Sequence, residues 1–265
     1  LRAAITTLQW DSIEHHTQRI KREELGEDPR SLFLKEREKE YLRVLREKMV
    51  DGVIYMSSSL QAETLDIINE LNIKTVLVET KDKQETLPSV TIDNVKAAEE
   101  ATDYLIKNGA KNIAFVGAKK ESLNAWVDRY FGYEKSLNNN GLTIDEDLVF
   151  NKGLKVSTGY EAIQKFEASQ KTYDAVMCAS DEIAMGVINA LREHGKRIPE
   201  DVSVIGFNDN AVSSVFYPKI TTVKQPSYDM GSVAMRMLIK ILNNKPVDEP
   251  QFVLDYKIIK RDSSK

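Results

Sequence analysis

From about residue 36 onward, short apolar runs alternate with stretches whose apolar positions recur three and four apart. A run of four or five apolar, often β-branched residues fits a buried strand, whereas the three–four spacing marks one face of a helix. The pattern opens with the helical stretch Tyr41–Met49, which runs directly into the strand Val53–Met56. It continues with helix Leu60–Leu71, strand Thr75–Val78 and strand Ser89–Ile92. Helix Ala97–Lys107 closes at Asn108-Gly109, a C-cap signal, and is followed by strand Ile113–Gly117. Helix Trp126–Asn138, strand Leu148–Phe150, helix Gly159–Ala168, strand Ala175–Cys178, helix Glu182–His194 and strand Val202–Gly206 complete the alternation, before a loop to Pro218.

This alternation predicts an α/β chain with parallel sheets and helices on both faces. Sheets of that kind bind ligands at the carboxyl ends of their strands. The residues that follow the strands are strongly polar: Ser57, Ser58 and Ser59, Asp93, Ser180 and Asp181, and Asn208 and Asp209. Each can equally be a helix cap or a turn, so function rests on whether several converge. The first 36 residues differ from the rest. They are charged, have helical propensity around Ile5–Ile20, and offer no convincing buried strand.

A length of 265 residues suits one large domain or two modest ones, and 42% hydrophobic with 29% charged residues is ordinary for a globular protein. The net charge of −4 carries no basic footprint for nucleic acid. The single cysteine, Cys178, excludes an internal disulfide and fits a reducing cytoplasmic setting. Neither a long apolar span nor a leader-like start is present, so no membrane association is expected. Of the histidines, His15 and His16 are adjacent and do not face each other on a helix, and His194 sits at a helix end. Metal-ligand spacing, a phosphate-cradling glycine loop, a dinucleotide fingerprint and a nucleophile elbow are all missing. The expectation is therefore no enzyme, no metal and no cofactor.

From about Lys39 to the end, an ordered series of segments resembles one family. They include Glu38–Ile54, Pro88–Asn94, Asn108–Gly117, Arg129–Tyr133, Ala179–Gly186, Ile198–Phe207, Pro218–Pro226 and Gly231–Arg236. Together they are similar to the effector-binding and dimerisation core of LacI/GalR-type transcriptional regulators. The resemblance implies two Rossmann-like lobes joined by three crossovers, a periplasmic-binding-protein-like fold. One lobe would hold residues 1–94 plus 226–249, the other residues 95–225 plus 250–265, the latter with a C-terminal strand Phe252–Ile259. It also implies effector contacts at Asp93, Arg129 and Asn208, with Ser58 and Asp181 as further candidates. The planar fork of Arg129 suits vicinal hydroxyls, a carboxylate or a phosphate, although a surface arginine at a helix start would look the same in sequence. At 208 many relatives carry Asp; an amide both donates and accepts.

The segment Gln225–Lys240 is similar to the corresponding helix of the catabolite control protein A subgroup, where a seryl-phosphorylated phosphocarrier protein docks. The matching residues are Asp229, Arg236 and Lys240, which share a helical face opposite Met230, Met237 and Leu238; a plain solvated face is the alternative. Expected partners are thus a sugar or sugar phosphate, a second copy of the chain in a homodimer, and that carrier. DNA would be reached only through a helix-turn-helix that this chain lacks. Two competing readings remain: a periplasmic-type sugar-binding protein for transport, and a protein-interaction module without a small ligand. At the front the family pattern fails. Ala3–Thr6 aligns loosely with the family's first helix, no first strand is apparent, and the N-terminal lobe reads as incomplete.

Overall fold

The computed structural model describes residues 3–7, 39–56, 60, 62–82, 84–117 and 125–265; for 3–7 the backbone alone is described. Two sheets organise the chain, and each is built around its own compact unit. The first unit takes Leu1–Thr91 with Tyr228–Val253, and the second takes Ile92–Ser227 with Leu254–Lys265.

In the first unit the strands are β1 (Ala3–Thr7), β2 (Gly52–Met56), β3 (Lys74–Val78), β4 (Ser89–Ile92) and β10 (Gln251–Leu254), ordered β1-β2-β3-β4-β10. Strands β1 to β4 run parallel, with Ala3 opposite Gly52 and Gly52 opposite Lys74. Helix α1 occupies 39–47 and α2 occupies Ala62–Glu70. Leu42 of α1 and Ile67 and Ile68 of α2 pack with Val53, Tyr55 and Leu77 into one core. Helix α8 (Ser227–Leu242) buries Met230, Val233, Ala234, Met237 and Leu238. Leu238 lies so close to Gly52 that a Cβ there would meet its Cδ1 at 2.7 Å.

The second unit holds β5 (Ile113–Gly117), β6 (Val149–Asn151), β7 (Ala175–Cys178), β8 (Ser203–Asn208), β9 (Thr221–Lys224) and β11 (Lys257–Ile259), in the order β11-β9-β8-β7-β5-β6. All pairs are parallel except β11 with β9. Its helices are α3 (Asn94–Lys107), α4 (Ala125–Asn139), α5 (Val156–Ala168), α6 (Asp181–Glu193) and the short α7 (Ala211–Val215). Helices α5 and α6 approach closely because Gly159 and Gly186 leave no side chain between them. A Cβ at Gly186 would meet the Val156 carbonyl at 1.9 Å. The strands Ala175–Cys178 and Ile113–Gly117 are buried throughout, as central parallel strands require.

Three expectations are corrected. The N-terminal stretch expected to lack a strand, and aligned with a helix at Ala3–Thr6, forms β1 against β2. Ile5, Thr6 and Thr7 are β-branched and fit a pleated edge better than a helix, and the free edge of β2 supplies the ladder. The single C-terminal strand Phe252–Ile259 breaks at Asp255–Tyr256, so that β10 joins the first sheet and β11 the second. No glycine or proline marks that break; the available sheet edges decide it. Helices α3 and α5 begin three residues earlier than their apolar pattern, because Asp93 caps Asn94–Lys107 and Val156 already turns after Lys155. The histidine pair His15-His16 lies outside the described residues.

Candidate functional site

The polar residues of the second unit gather along the carboxyl ends of β7, β8 and β9. Strand β7 leads into Ala179, Ser180 and Asp181 at the start of α6. Ser180 caps that helix by accepting from the Ile183 N–H at 3.2 Å. The next residue, Asp181, is fully buried. Its Oδ1 accepts from the Thr222 hydroxyl at 2.6 Å and its Oδ2 accepts from the Asn210 backbone N–H at 2.7 Å. Burial pushes its carboxyl up to about 6, and the two hydrogen bonds hold it from going higher. A Cβ on Gly206 would meet Asp181 Oδ1 at 2.5 Å, so β8 makes room for this carboxylate only by having glycine there.

Strand β8 ends at Asn208, and two consecutive non-glycine residues there take positive φ, Asn208 at 108° and Asp209 just after it at 59°. Such backbone costs about 1–3 kcal/mol per residue and persists where its surroundings over-determine it. Here Asn208 Oδ1 accepts from Gln225 Nε2 at 2.7 Å, and the Asn208 carbonyl accepts from the Gln225 N–H at 3.3 Å. Asp209 Oδ1 takes Arg261 Nη2 at 2.6 Å and the Ser213 hydroxyl at 3.0 Å. Because Gln225 fixes the amide's polarity, the Asn208 nitrogen is left as the group with hydrogens to give.

Arg129 sits in the first turns of α4 and is only 1% exposed, so it is not a surface arginine. Its Nε donates to Asn94 Oδ1 at 3.0 Å and its Nη1 donates to the Ala179 carbonyl at 2.6 Å. The guanidinium carbon lies 3.7 Å from the Phe207 ring centroid and 4.4 Å from that of Trp126. Cation–π attraction and charge-assisted hydrogen bonds together hold a buried cation that would otherwise be costly. Arg129 therefore ties α4, the end of β7 and the end of β8 together. Asp93 is exposed and caps α3, accepting from the Lys96 N–H at 2.9 Å. Ser58 lies outside the described residues.

On α8, Asp229 and Arg236 are exposed and Lys240 pairs with Asp248 at 2.8 Å. The Lys240 ammonium holds the Asp248 carboxyl below its usual range. Residues the sequence did not single out as site residues are Asn94, Trp126, Thr222, Gln225 and Arg261. Gln225 stood within the quoted segment Pro218–Pro226, whereas Arg261 carried no local signal. A cavity of about 520 Å³ in the first unit is lined by Arg46, Val50, Asn72, Lys74, Ile241 and Asn244 among others. It lies at the amino ends of β2 and β3, away from the carboxyl ends where ligands of such sheets bind. Among the described residues no acid, histidine or cysteine cluster is placed to hold a metal, and no helix is long and apolar enough to cross a membrane.

Residues 102–264 match the family model described as a periplasmic binding protein-like domain. The HTH-type transcriptional regulator RegA of Clostridium saccharobutylicum is 62% identical over 229 residues, 86% of this chain and 69% of that protein. The chain belongs to the LacI/GalR family of transcriptional regulators. Catabolite control protein A of Staphylococcus xylosus is 35% identical over the same shares of the two chains. The crystal structure of transcription regulator CcpA of Lactococcus lactis superposes with a TM-score of 0.81 at 32% identity, covering 87% of this chain and 84% of that one. A complex of the transcriptional regulator CelR with cellobiose gives 0.80 at 28% identity, covering 86% and 70%. These relatives are transcriptional regulators, which supports a regulator core over a transport-type binding protein.

Proposed function

We propose that this chain is the effector-sensing and dimerisation core of its regulator, that it binds a sugar-like or phosphorylated metabolite, and that it works by binding rather than catalysis. The observation that carries this reading is the polar rim of the second sheet, where Arg129, Asn208 and Gln225 are held at the carboxyl ends of β7 to β9 by named hydrogen bonds. Asn208, with its oxygen taken by Gln225, offers N–H donors to hydroxyl, carboxylate or phosphoryl oxygens of a ligand. Arg129 holds the ends of β7 and β8 in place and brings positive charge beside them, and Asp93 adds an acceptor at the start of α3. Ser58 completes the proposed effector set. The named cellobiose complex of a relative supports a sugar as ligand class. Effector binding then shifts a conformational equilibrium that a homodimer passes to DNA-binding heads, in the cytoplasm.

Titration calorimetry with cellobiose, glucose and a hexose phosphate tests this. Binding of one of them, weakened about tenfold by Asn208→Asp, is the expected result. No heat from any of the three overturns the effector reading.

The exposed side of α8 supports a second partner. Asp229 and Arg236 are solvent-facing, and Lys240 pairs with the exposed Asp248, a pair of little net strength that a phosphoryl group can displace. Binding of a seryl-phosphorylated phosphocarrier protein is expected to be lost on charge reversal at Arg236 and Lys240. Unchanged carrier binding by that variant defeats this part.

A further inference from the structure

The loop that carries Asn208 is an unlikely conformation for its sequence, since two non-glycine residues in succession adopt positive φ. What holds it is distributed over three elements. Arg261, from the segment after β11, grips Asp209. Gln225, after β9, grips Asn208. The third anchor is Asp181, and it differs from the other two in being buried, ionisable and central. One of its oxygens takes the Asn210 N–H, immediately beyond the strained pair, and the other takes Thr222 of β9. Thr222 Oγ1 in turn lies 3.4 Å from the Asp209 N–H. With both oxygens engaged and no exposed surface, Asp181 has no face left for a ligand.

We propose that Asp181 is a positioning residue: its carboxylate holds the loop Asn208–Asn210 in its left-handed course and so presents Asn208 to the ligand. The functional half of this statement rests on the reading of Asn208 as an effector contact; the anchoring half does not. The alternative role, a direct effector contact, requires Asp181 to release Thr222 or Asn210.

Several titratable groups face Asp181. Glu182 follows it on α6 and bonds Asn210 Nδ2 at 2.7 Å, Asp209 approaches from the loop, and Cys178 lies at the end of β7. Lys224 and Arg261 lie beyond, paired with Asp209. Glu182 and Asp209 both disfavour the charged form, but less than burial does. An asparagine at 181 can reproduce both contacts, its oxygen accepting from Asn210 and its amide donating to the Thr222 hydroxyl, without any charge to titrate.

The test uses the isotope-labelled chain without ligand. Backbone amide resonances are followed against pH, and hydrogen exchange is measured in wild type, Asp181→Asn and Asp181→Ala. The Asn210 amide of the wild type is expected to titrate with a midpoint at about 6, and to be flat in Asp181→Asn. Protection of residues 208–210 is expected to survive in Asp181→Asn. In Asp181→Ala it should fall about tenfold or more, while the amides of β5 and β7 keep theirs. A wild-type Asn210 amide that does not titrate overturns the proposal, as does unchanged protection in Asp181→Ala. Equal loss across the whole sheet overturns it too, because that marks a general stabilising role. Failure of the sugars to bind in calorimetry defeats the effector reading alone and leaves each of these outcomes readable.

Discussion

The carboxyl ends of the two sheets handle their polar groups differently. In the second unit the polar side chains at the ends of β7, β8 and β9 are knitted together: Asp181 to Thr222 and Asn210, Asn208 to Gln225, Arg129 to Asn94 and Ala179. In the first unit, Thr80 and Asp82 follow β3 and Thr91 lies within β4, all nearly inaccessible. Asp82 Oδ2 accepts from the Thr86 hydroxyl and the Leu87 N–H, each at 2.8 Å. Yet among the described residues Asp82 Oδ1 and the hydroxyls of Thr80 and Thr91 have no hydrogen-bond partner, a state shared in the second unit by Asn151 Oδ1 at the end of β6. A buried polar atom without a partner costs about 1–3 kcal/mol, whereas a satisfied network is repaid and made rigid. The contrast teaches that the ends of β7, β8 and β9 are preorganised by their own chain, and that this rim depends on each member of the network being present.

The comparison can be broken by substitution, and the largest effect is expected at Arg129. Arg129→Ala empties a buried site and strands Asn94 Oδ1 and the Ala179 carbonyl, so denaturant unfolding should show a loss of about 4 kcal/mol. Next comes the pH dependence set by Asp181. Its folded carboxyl titrates at about 6 against an ordinary 3.8, so the fold binds its proton more tightly than the unfolded chain does. Its favourable contribution is full below the ordinary value and is lost as pH rises through the folded one, roughly 3 kcal/mol in all. Melting curves from pH 4 to 7 should therefore show wild type falling relative to Asp181→Asn; parallel curves would contradict this. Thr222→Val removes the hydroxyl that Asp181 Oδ1 needs and should cost about 2 kcal/mol in the same denaturation experiment. The smallest effect is predicted in the first unit. Thr91→Val removes a hydroxyl that has no partner among the described residues and should stabilise by about 1 kcal/mol. Destabilisation there comparable to Thr222→Val would erase the difference between the two rims.

Much of this architecture was legible before the structure. The alternation of strands and helices from residue 36 followed from local period, because a strand or helix face is written into a few consecutive residues. Helix starts were less legible: Asp93 looks equally like a cap and a ligand, and the structure shows it capping α3. Of the candidate effector residues, Arg129, Asp181 and Asn208 reach one rim, but their circumstances were hidden. Arg129 could be singled out as a fork at a helix start, yet its burial depends on Asn94 and Ala179, 35 and 50 residues away. Arg261 clamps Asp209 from 52 residues away, beyond any periodic signal.

The sequence by itself determined the family, the α/β class and the order of the central elements, since apolar period and ordered motifs are local or linear properties. Only the tertiary structure decided that Ala3–Thr7 pairs with β2 and that the C-terminal strand divides between two sheets. It alone showed that Asn208 and Asp209 take a left-handed course under three separate anchors. Each of those outcomes depends on which edges and donors are brought together across long separations. The energy of pairing and burial there is supplied by partners that no window of neighbouring residues contains.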